Sequence, residues 1–214
     1  MVDLNVNSSA PVYYVIKRII DVIGAMTGIL LTFPIQLVVM SFYIFGPNKG
    51  PVFFKQVRIG KYGQEFYIYK FRSMVVDAEK KLRENEELHQ KYIKNNYKLE
   101  QDEDPRITSF GRFIRKTSLD ELPQFINVLK GDMSLVGPRP VVLEELDEYK
   151  NRKEVFLSVK PGITGYWQVC GRSDVGYPDR VDIELYYAYN QSLWLDIKIM
   201  LKTILLVILR KGAY

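Results

Sequence analysis

The sequence predicts a monotopic membrane protein, in which a re-entrant amino-terminal helix-break-helix precedes a mixed, mainly helical α/β domain with interfacial helices. Three features lead there. An apolar run from Val22 to Phe45 carries no formal charge. Pro34 interrupts it near its middle, and basic residues flank it on both sides. Beyond it, short β-prone aromatic runs alternate with charged, helix-forming stretches. At 214 residues the chain has room for one substantial core, or for a small domain plus a membrane element.

Composition narrows the function classes without choosing one. The formal charge is +5, from 30 Lys and Arg against 25 Asp and Glu. Such a balance suits nucleic acid, anionic headgroups or phosphorylated substrates. A single His excludes a histidine-rich metal site. The lone Cys170 excludes an internal disulfide and a cysteine-based zinc cluster, and reads as a small side chain in a turn.

Residues 1 to 11 are small and polar and read as a flexible tail. The hairpin is placed at residues 12 to 48. As one straight helix the apolar run would be about 36 Å long, enough to cross roughly 30 Å of hydrocarbon. It exceeds the apolar core of an export signal. Pro34 removes a backbone donor and pushes Phe33 away from helical geometry. Lys17 and Arg18 precede the run, while Lys49, Lys55, Arg58 and Lys61 follow it. These opposing topology signals are reconciled if both flanks stay on the cytoplasmic side and the helix turns back at Pro34. Thr32, Gln36 and Ser41 are the local side chains that can satisfy the interrupted backbone. A single span and a buried core helix are the alternatives.

Val52-Phe53-Phe54 and Phe66 to Tyr69 read as two strands around a Gly60-Lys61-Tyr62-Gly63 turn, followed by Lys70 and Arg72. Residues Ser73 to Tyr97 read as a charged helix with i,i+4 pairs Glu79-Arg83 and Glu87-Lys91. After the turn at Asp104-Pro105-Arg106, Arg112 and Arg115 are spaced to share a helix face, with Lys116 close by. The cluster either binds phosphates or solvates a surface.

Thr117 to Gln124 reads as the entrance to a helix running through Leu129. Ser118 with Glu121 matches a capping box; in the rival register Asp120 is the cap and Pro123 the third helical residue. Either puts two adjacent carboxylates at the positive end of a helix, which favours an ionised Asp120. Ordinary capping explains the same residues without chemistry. Gly131-Asp132 ends the helix, and two prolines fix the backbone on either side of Arg139. No GxxxxGK[ST] or GxGxxG pattern occurs. Near the end, Leu193 to Leu209 mixes apolar and charged positions, with Trp194 at the boundary, and reads as an interfacial helix or as one packed on the core.

The ordered set of Lys17-Arg18-Ile19-Ile20-Asp21, Gly50 to Gln56, Tyr69 to Met74, Thr117 to Pro123 and Leu129 to Pro140 resembles the bacterial sugar transferase family, the monotopic polyprenyl-phosphate phosphoglycosyl transferases. The likeness runs from about Tyr13 to Arg210. Lys160 to Gly165, with Trp167-Gln168-Val169 and Gly171-Arg172, resembles the carboxyl-terminal part of the larger exopolysaccharide and O-antigen members. Those usually carry further membrane helices and another domain before this unit. The chain is therefore expected to be a short member or an isolated catalytic unit.

The resemblance implies a catalytic domain over residues 49 to 214 on the cytoplasmic face of the bacterial inner membrane. Asp120 matches the nucleophile and Glu121 its acidic partner. UDP-sugar and undecaprenyl phosphate are the implied substrates, UMP the implied product, and surface-glycan assembly (capsule, exopolysaccharide or O-antigen) the implied process. Mg²⁺ is the implied cofactor, with Asp120 or Glu121 as ligand. Arg115 and Arg139 match positions near substrate phosphates, with Arg112, Lys70 and Arg72 as further candidates. Membrane lipid is an expected partner and nucleic acid is not; apolar surfaces can face lipid or a second copy of the chain. A membrane-anchored phosphate or nucleic-acid binding protein, and a glycosyl transferase that releases UDP, are the competing readings.

Overall fold

A computed structural model describes residues 11–45, 48–95, 99, 103–170 and 175–209. The expected tail, Tyr97 at the end of the charged helix, Gly171-Arg172 and Arg210 lie outside these, apart from Pro11. The first element, α1, runs from Pro11 to Ile44 as a single helix with Pro34 inside it. This corrects the expected helix-break-helix: helical structure continues through the proline. The local polar side chains show how. Thr32 Oγ1 donates to Gly28 O (2.6 Å), Gln36 Nε2 donates to Thr32 Oγ1 (2.9 Å), and Ser41 Oγ donates to Val38 O. Hydroxyl and amide groups thus bracket the position where Pro34 has no N–H to give.

Strands β1 (Phe53–Ile59) and β2 (Glu65–Phe71) form an antiparallel hairpin, in register from Phe53 opposite Phe71 to Ile59 opposite Glu65. A 3-10 turn at Lys61–Gly63 joins them, with Tyr62 and Gly63 both in the left-handed region. The expected single charged helix is two. Asn85, at ψ 96°, ends α2 (Ala78–Glu84), and its side chain accepts from Leu88 N to start α3 (Glu86–Lys94). Asparagine competes with the helix ladder in this way. Glu79 then accepts from Gln56, and Lys91 reaches Glu103.

Helix α4 (Ser109–Lys116) is capped by Thr108, and a 3-10 turn at Leu119–Glu121 leads into α5 (Gln124–Lys130). Gly131, at φ 89°, closes α5 as its sequence suggests. Short strands β3 (Ser134–Val136) and β4 (Gly162–Thr164) pair in parallel. Between them lie α6 (Leu143–Leu146), a 3-10 turn and α7 (Lys153–Leu157). The chain closes with α8 (Tyr166–Cys170), α9 (Asp179–Tyr189) and α10 (Leu193–Ile208).

Both ends of α1 are fastened to this domain. Near the start, Lys17 Nζ donates to Asp196 Oδ2 of α10 (2.9 Å) and Val136 O (3.1 Å). Arg18 donates to Val128 O and Leu129 O at the carbonyl end of α5. Asp21, buried, accepts from Ser134 Oγ and Leu135 N (2.9 Å each). Near the other end Val39 and Tyr43 pack with Phe71 and Ile114, and Tyr43 OH donates to Arg72 O. Between these anchorages Ala25 is buried against Val128 and Ile68, whereas other apolar side chains are bare: Leu30 is 75% exposed and Leu31 71%. The second half of α10 likewise exposes Leu201, Ile204, Leu205 and Ile208.

Close backbone packing positions α4. A methyl group at Gly111 would stand 1.7 Å from Ser73 O. Gly111→Ala is expected to cost about 3 kcal/mol, because backbone must move. Gly63, at φ 76° with open space around it, should cost only about 1 kcal/mol on the same change. Thermal unfolding of the two purified variants checks the ranking, and equal losses would refute it.

Candidate active site

The site forms where α4, the turn at Leu119–Glu121 and strand β2 meet. Ser118 adopts a left-handed conformation (φ 56°) without a side-chain cap bond, and Pro123 occupies the position before α5. Both expected capping registers are therefore wrong. Asp120 and Glu121 sit in the 3-10 turn that precedes α5, with Glu121 N donating to Ser118 O (3.3 Å). Pro123 lacks a donor where none is needed, and its carbonyl accepts from Ile126 N.

Asp120 is buried, at 7% exposure. Burial pushes its carboxyl up to about 6, while Lys70 and Arg115 pull it down and Glu121 pushes with the burial. The expectation of a helix-stabilised anion is thus replaced by a desolvated carboxylate balanced by two cations. Glu121 behaves oppositely. Burial raises it, but Lys70, hydrogen-bonded at 2.6 Å, together with Arg139 and Gln124 holds it below the ordinary glutamate range. Adjacent carboxyls in different fields divide a more basic oxygen from a firmly ionised one.

The candidate cations are placed unequally. Lys70, from β2, touches Glu121 directly. Arg115 turns inward, where Nε donates to Ser73 Oγ (2.8 Å), and its field reaches Asp120. Arg112 stays exposed on α4, so the two arginines do not share one environment. Arg72 faces three backbone carbonyls, those of Pro51, Met74 and Asn48, and stacks on Tyr43; it ties the chain after α1 to the hairpin. Arg139 projects from a clamped loop. Gly137 N donates to Thr164 O, Gly162 N to Pro138 O, and Ile59 N to Val141 O. Its charge reaches Glu121, and its Nε is buried without a hydrogen-bond partner among the described residues. An unpaired buried guanidinium donor beside an acidic pair is suited to an oxyanion.

Behind that loop lies a buried ionic network that sequence spacing did not signal. Arg58 donates to Pro140 O (3.2 Å) and Glu145 Oε1 (3.3 Å); Arg180 meets Glu145 (3.6 Å) and Glu184 (3.0 Å), and lies over the Trp167 ring. Its members come from β1, α6 and α9, far apart in the chain. Burial strengthens such pairs. Although Arg58 Nε is buried without a hydrogen-bond partner among the described residues, its Nη1 ties Glu145 to the Pro140 carbonyl and so holds the backbone next to Arg139.

Among the described residues no group of three or more His, Cys, Asp or Glu side chains converges as a metal site. Asp120 and Glu121 supply two neighbouring carboxylates. That donor set fits Mg²⁺ carried by a diphosphate, since this ion is commonly held by one or two carboxylates plus phosphate oxygens and water.

Residues 12–210 match the family described as bacterial sugar transferase. The chain is 45% identical over 202 residues to an undecaprenyl-phosphate galactose phosphotransferase of Salmonella typhimurium, covering 93% of this chain and 42% of that protein. It is 44% identical over 202 residues to the galactosyl transferase CpsE of Streptococcus agalactiae, covering 94% and 44%. With the exopolysaccharide production protein ExoY of Rhizobium meliloti the identity is 41% over 208 residues, covering 95% and 90%. The chain therefore spans less than half the length of the first two.

The raised Asp120 carboxyl has a measurable signature. A folded state that binds this proton more tightly than the unfolded chain loses stability as pH rises from about 4 through about 6. Asp120→Asn, which has no charge to desolvate, is expected to melt above wild type at neutral pH, with the gap closing as pH falls to about 4. Melting curves across that range check it; a gap that widens toward acid would contradict the burial argument.

Proposed function

The chain belongs to the bacterial sugar transferase family, and from that premise we propose that it moves a sugar-1-phosphate from a UDP-sugar onto undecaprenyl phosphate, initiating assembly of a surface glycan. The observation that carries the mechanism is the buried Asp120 carboxyl between Lys70 and Arg115. At about 6 it is roughly nine-tenths ionised at pH 7, yet its oxygen is more basic than that of an ordinary aspartate. Both properties favour a nucleophile.

In the first step an Asp120 oxygen attacks the phosphorus that bears the sugar. A new P–O bond to the carboxylate forms, the bond to the bridging oxygen breaks, and UMP leaves with that oxygen. In the second step an oxygen of undecaprenyl phosphate attacks the same phosphorus, the bond to Asp120 breaks, and the carboxylate is restored. The product is an undecaprenyl diphosphate sugar. Burial limits the access of water, which would otherwise hydrolyse the phosphosugar adduct.

Arg115 and Lys70 offset negative charge gathered around Asp120, and Arg139 receives the nucleotide phosphates. Arg112, on the outer face of α4, suits the incoming lipid phosphate, whereas Arg72 acts by holding the hairpin in place. Mg²⁺, held by Asp120 or Glu121, would neutralise the diphosphate. A galactose phosphotransferase and a galactosyl transferase among the relatives favour an unmodified hexose, galactose first, as the sugar carried.

Re-entry of α1, by a bend of the continuous helix within the bilayer, is part of the same proposal, as is a membrane element over residues 12 to 48. A straight α1 would separate Tyr13 from Tyr43 by about 45 Å, placing them on opposite faces of the bilayer. Yet both ends bond to the one folded domain. A bend within the exposed middle satisfies both and places the domain over residues 49 to 214 on the cytoplasmic face.

Incubation with a UDP-sugar panel, undecaprenyl phosphate and Mg²⁺ is expected to release UMP, whereas UDP release would establish a different transferase. Without acceptor, a phosphosugar mass should appear on the peptide containing Asp120. Asp120→Asn should lower turnover by about a thousandfold or more, and undiminished turnover after exclusion of deamidation would end the covalent route.

A further inference from the structure

Nothing in the proposed reaction uses Lys160, which leads into β4. It is half-buried, and its ammonium makes no hydrogen bond or ion pair among the described residues. Gly131 locates it: a methyl group there would stand 3.6 Å from both Lys160 Nζ and Arg18 NH2. Two cations therefore converge over one glycine at the carbonyl end of α5. Arg18 has a structural reason to be there, because it donates to Val128 O and Leu129 O. Lys160 has none.

The local balance of charge is positive. Burial, then Arg18 and Lys61, push Lys160 below the ordinary lysine range, against the pull of Asp21 and Asp132. Those carboxylates are engaged elsewhere: Asp21 accepts from Ser134 and Leu135, and Asp132 pairs with Lys130 (3.4 Å). Lys61 comes from the hairpin tip, its ammonium 5.2 Å from the ring centre of Tyr14 and 4.7 Å from that of Tyr62. Tyr62 is 75% exposed and held at φ 59°, an uncommon conformation for a bulky side chain. Tyr14, Val15 and Ile19 expose apolar surface alongside, at the foot of α1.

A partly desolvated cation cluster, rimmed by tyrosines where an apolar helix begins, matches the chemistry of a lipid headgroup rather than that of bulk solvent. We propose that Lys160, Arg18 and Lys61 bind the phosphodiester of an anionic membrane lipid. The site lies at the far end of α5 from Asp120, about 10 Å along that helix, and is separate from the transfer chemistry. It holds whether or not Asp120 is the nucleophile.

The test uses the full chain in nanodiscs made from equimolar phosphatidylcholine and phosphatidylglycerol, with native mass spectrometry counting the lipids that remain bound. Wild type should retain phosphatidylglycerol preferentially. Lys160→Gln and Lys61→Gln should each weaken that preference by about fivefold, and Lys160→Arg should keep it. Lys61 lies on the hairpin tip, so its variant reports on the site even if Lys160→Gln folds poorly. Equal retention of the two lipids by wild type, or an unchanged preference in Lys61→Gln and Lys160→Gln, would overturn the proposal. So would displacement of the lipid by inorganic phosphate at matched concentration, which would assign the site to a soluble anion.

Discussion

The arrangement rests on the burial of one carboxyl group. Asp120 is out of water because the 3-10 turn that carries it is wedged between α4 and β2. That wedge exists because Gly111 lets the α4 backbone touch Ser73. Desolvation raises the carboxyl, and Lys70 and Arg115 keep it within reach of ionisation at neutral pH. Remove either cation and the carboxyl is protonated more readily; flood the turn with water and it becomes an ordinary aspartate.

Around this centre the scaffold divides its polar side chains between holding and facing. Arg72, Arg58 and Arg18 are spent on backbone carbonyls, each locking two segments together. Lys70 and Arg139 have their charge aimed at Glu121. The same residue type therefore does different work according to whether a carbonyl or an open space lies within reach, and only tertiary packing decides that.

This explains what the sequence could and could not reveal. The β1–β2 hairpin, the αL glycine that ends α5 and the apolar amino-terminal helix were legible because local pattern specifies them. The split at Asn85 was missed, although asparagine is a breaker, because the charged periodicity runs across it. The capping registers failed since both assumed that α5 begins at the carboxylates, whereas a separate turn precedes it. A break into two helices at Pro34 is not resolved, because Thr32 and Gln36 supply polar contacts around it and helical structure continues. The network of Arg58, Glu145, Arg180 and Glu184 leaves no local trace, because its members are brought together only by the fold.

The polar anchorage of α1 has a consequence for the order of assembly. Tyr13 and Lys17 meet Asp196 across sequence separations of 183 and 179 residues, and Asp21 meets Ser134 across 113. During synthesis the apolar helix emerges before these partners. Asp21 is therefore unpaired until β3 is made, and Lys17 and Tyr13 lack Asp196 until α10 has left the ribosome. Under the proposed membrane attachment, lipid holds α1 in the interval, so that insertion precedes docking and the domain closes onto an anchor already in position.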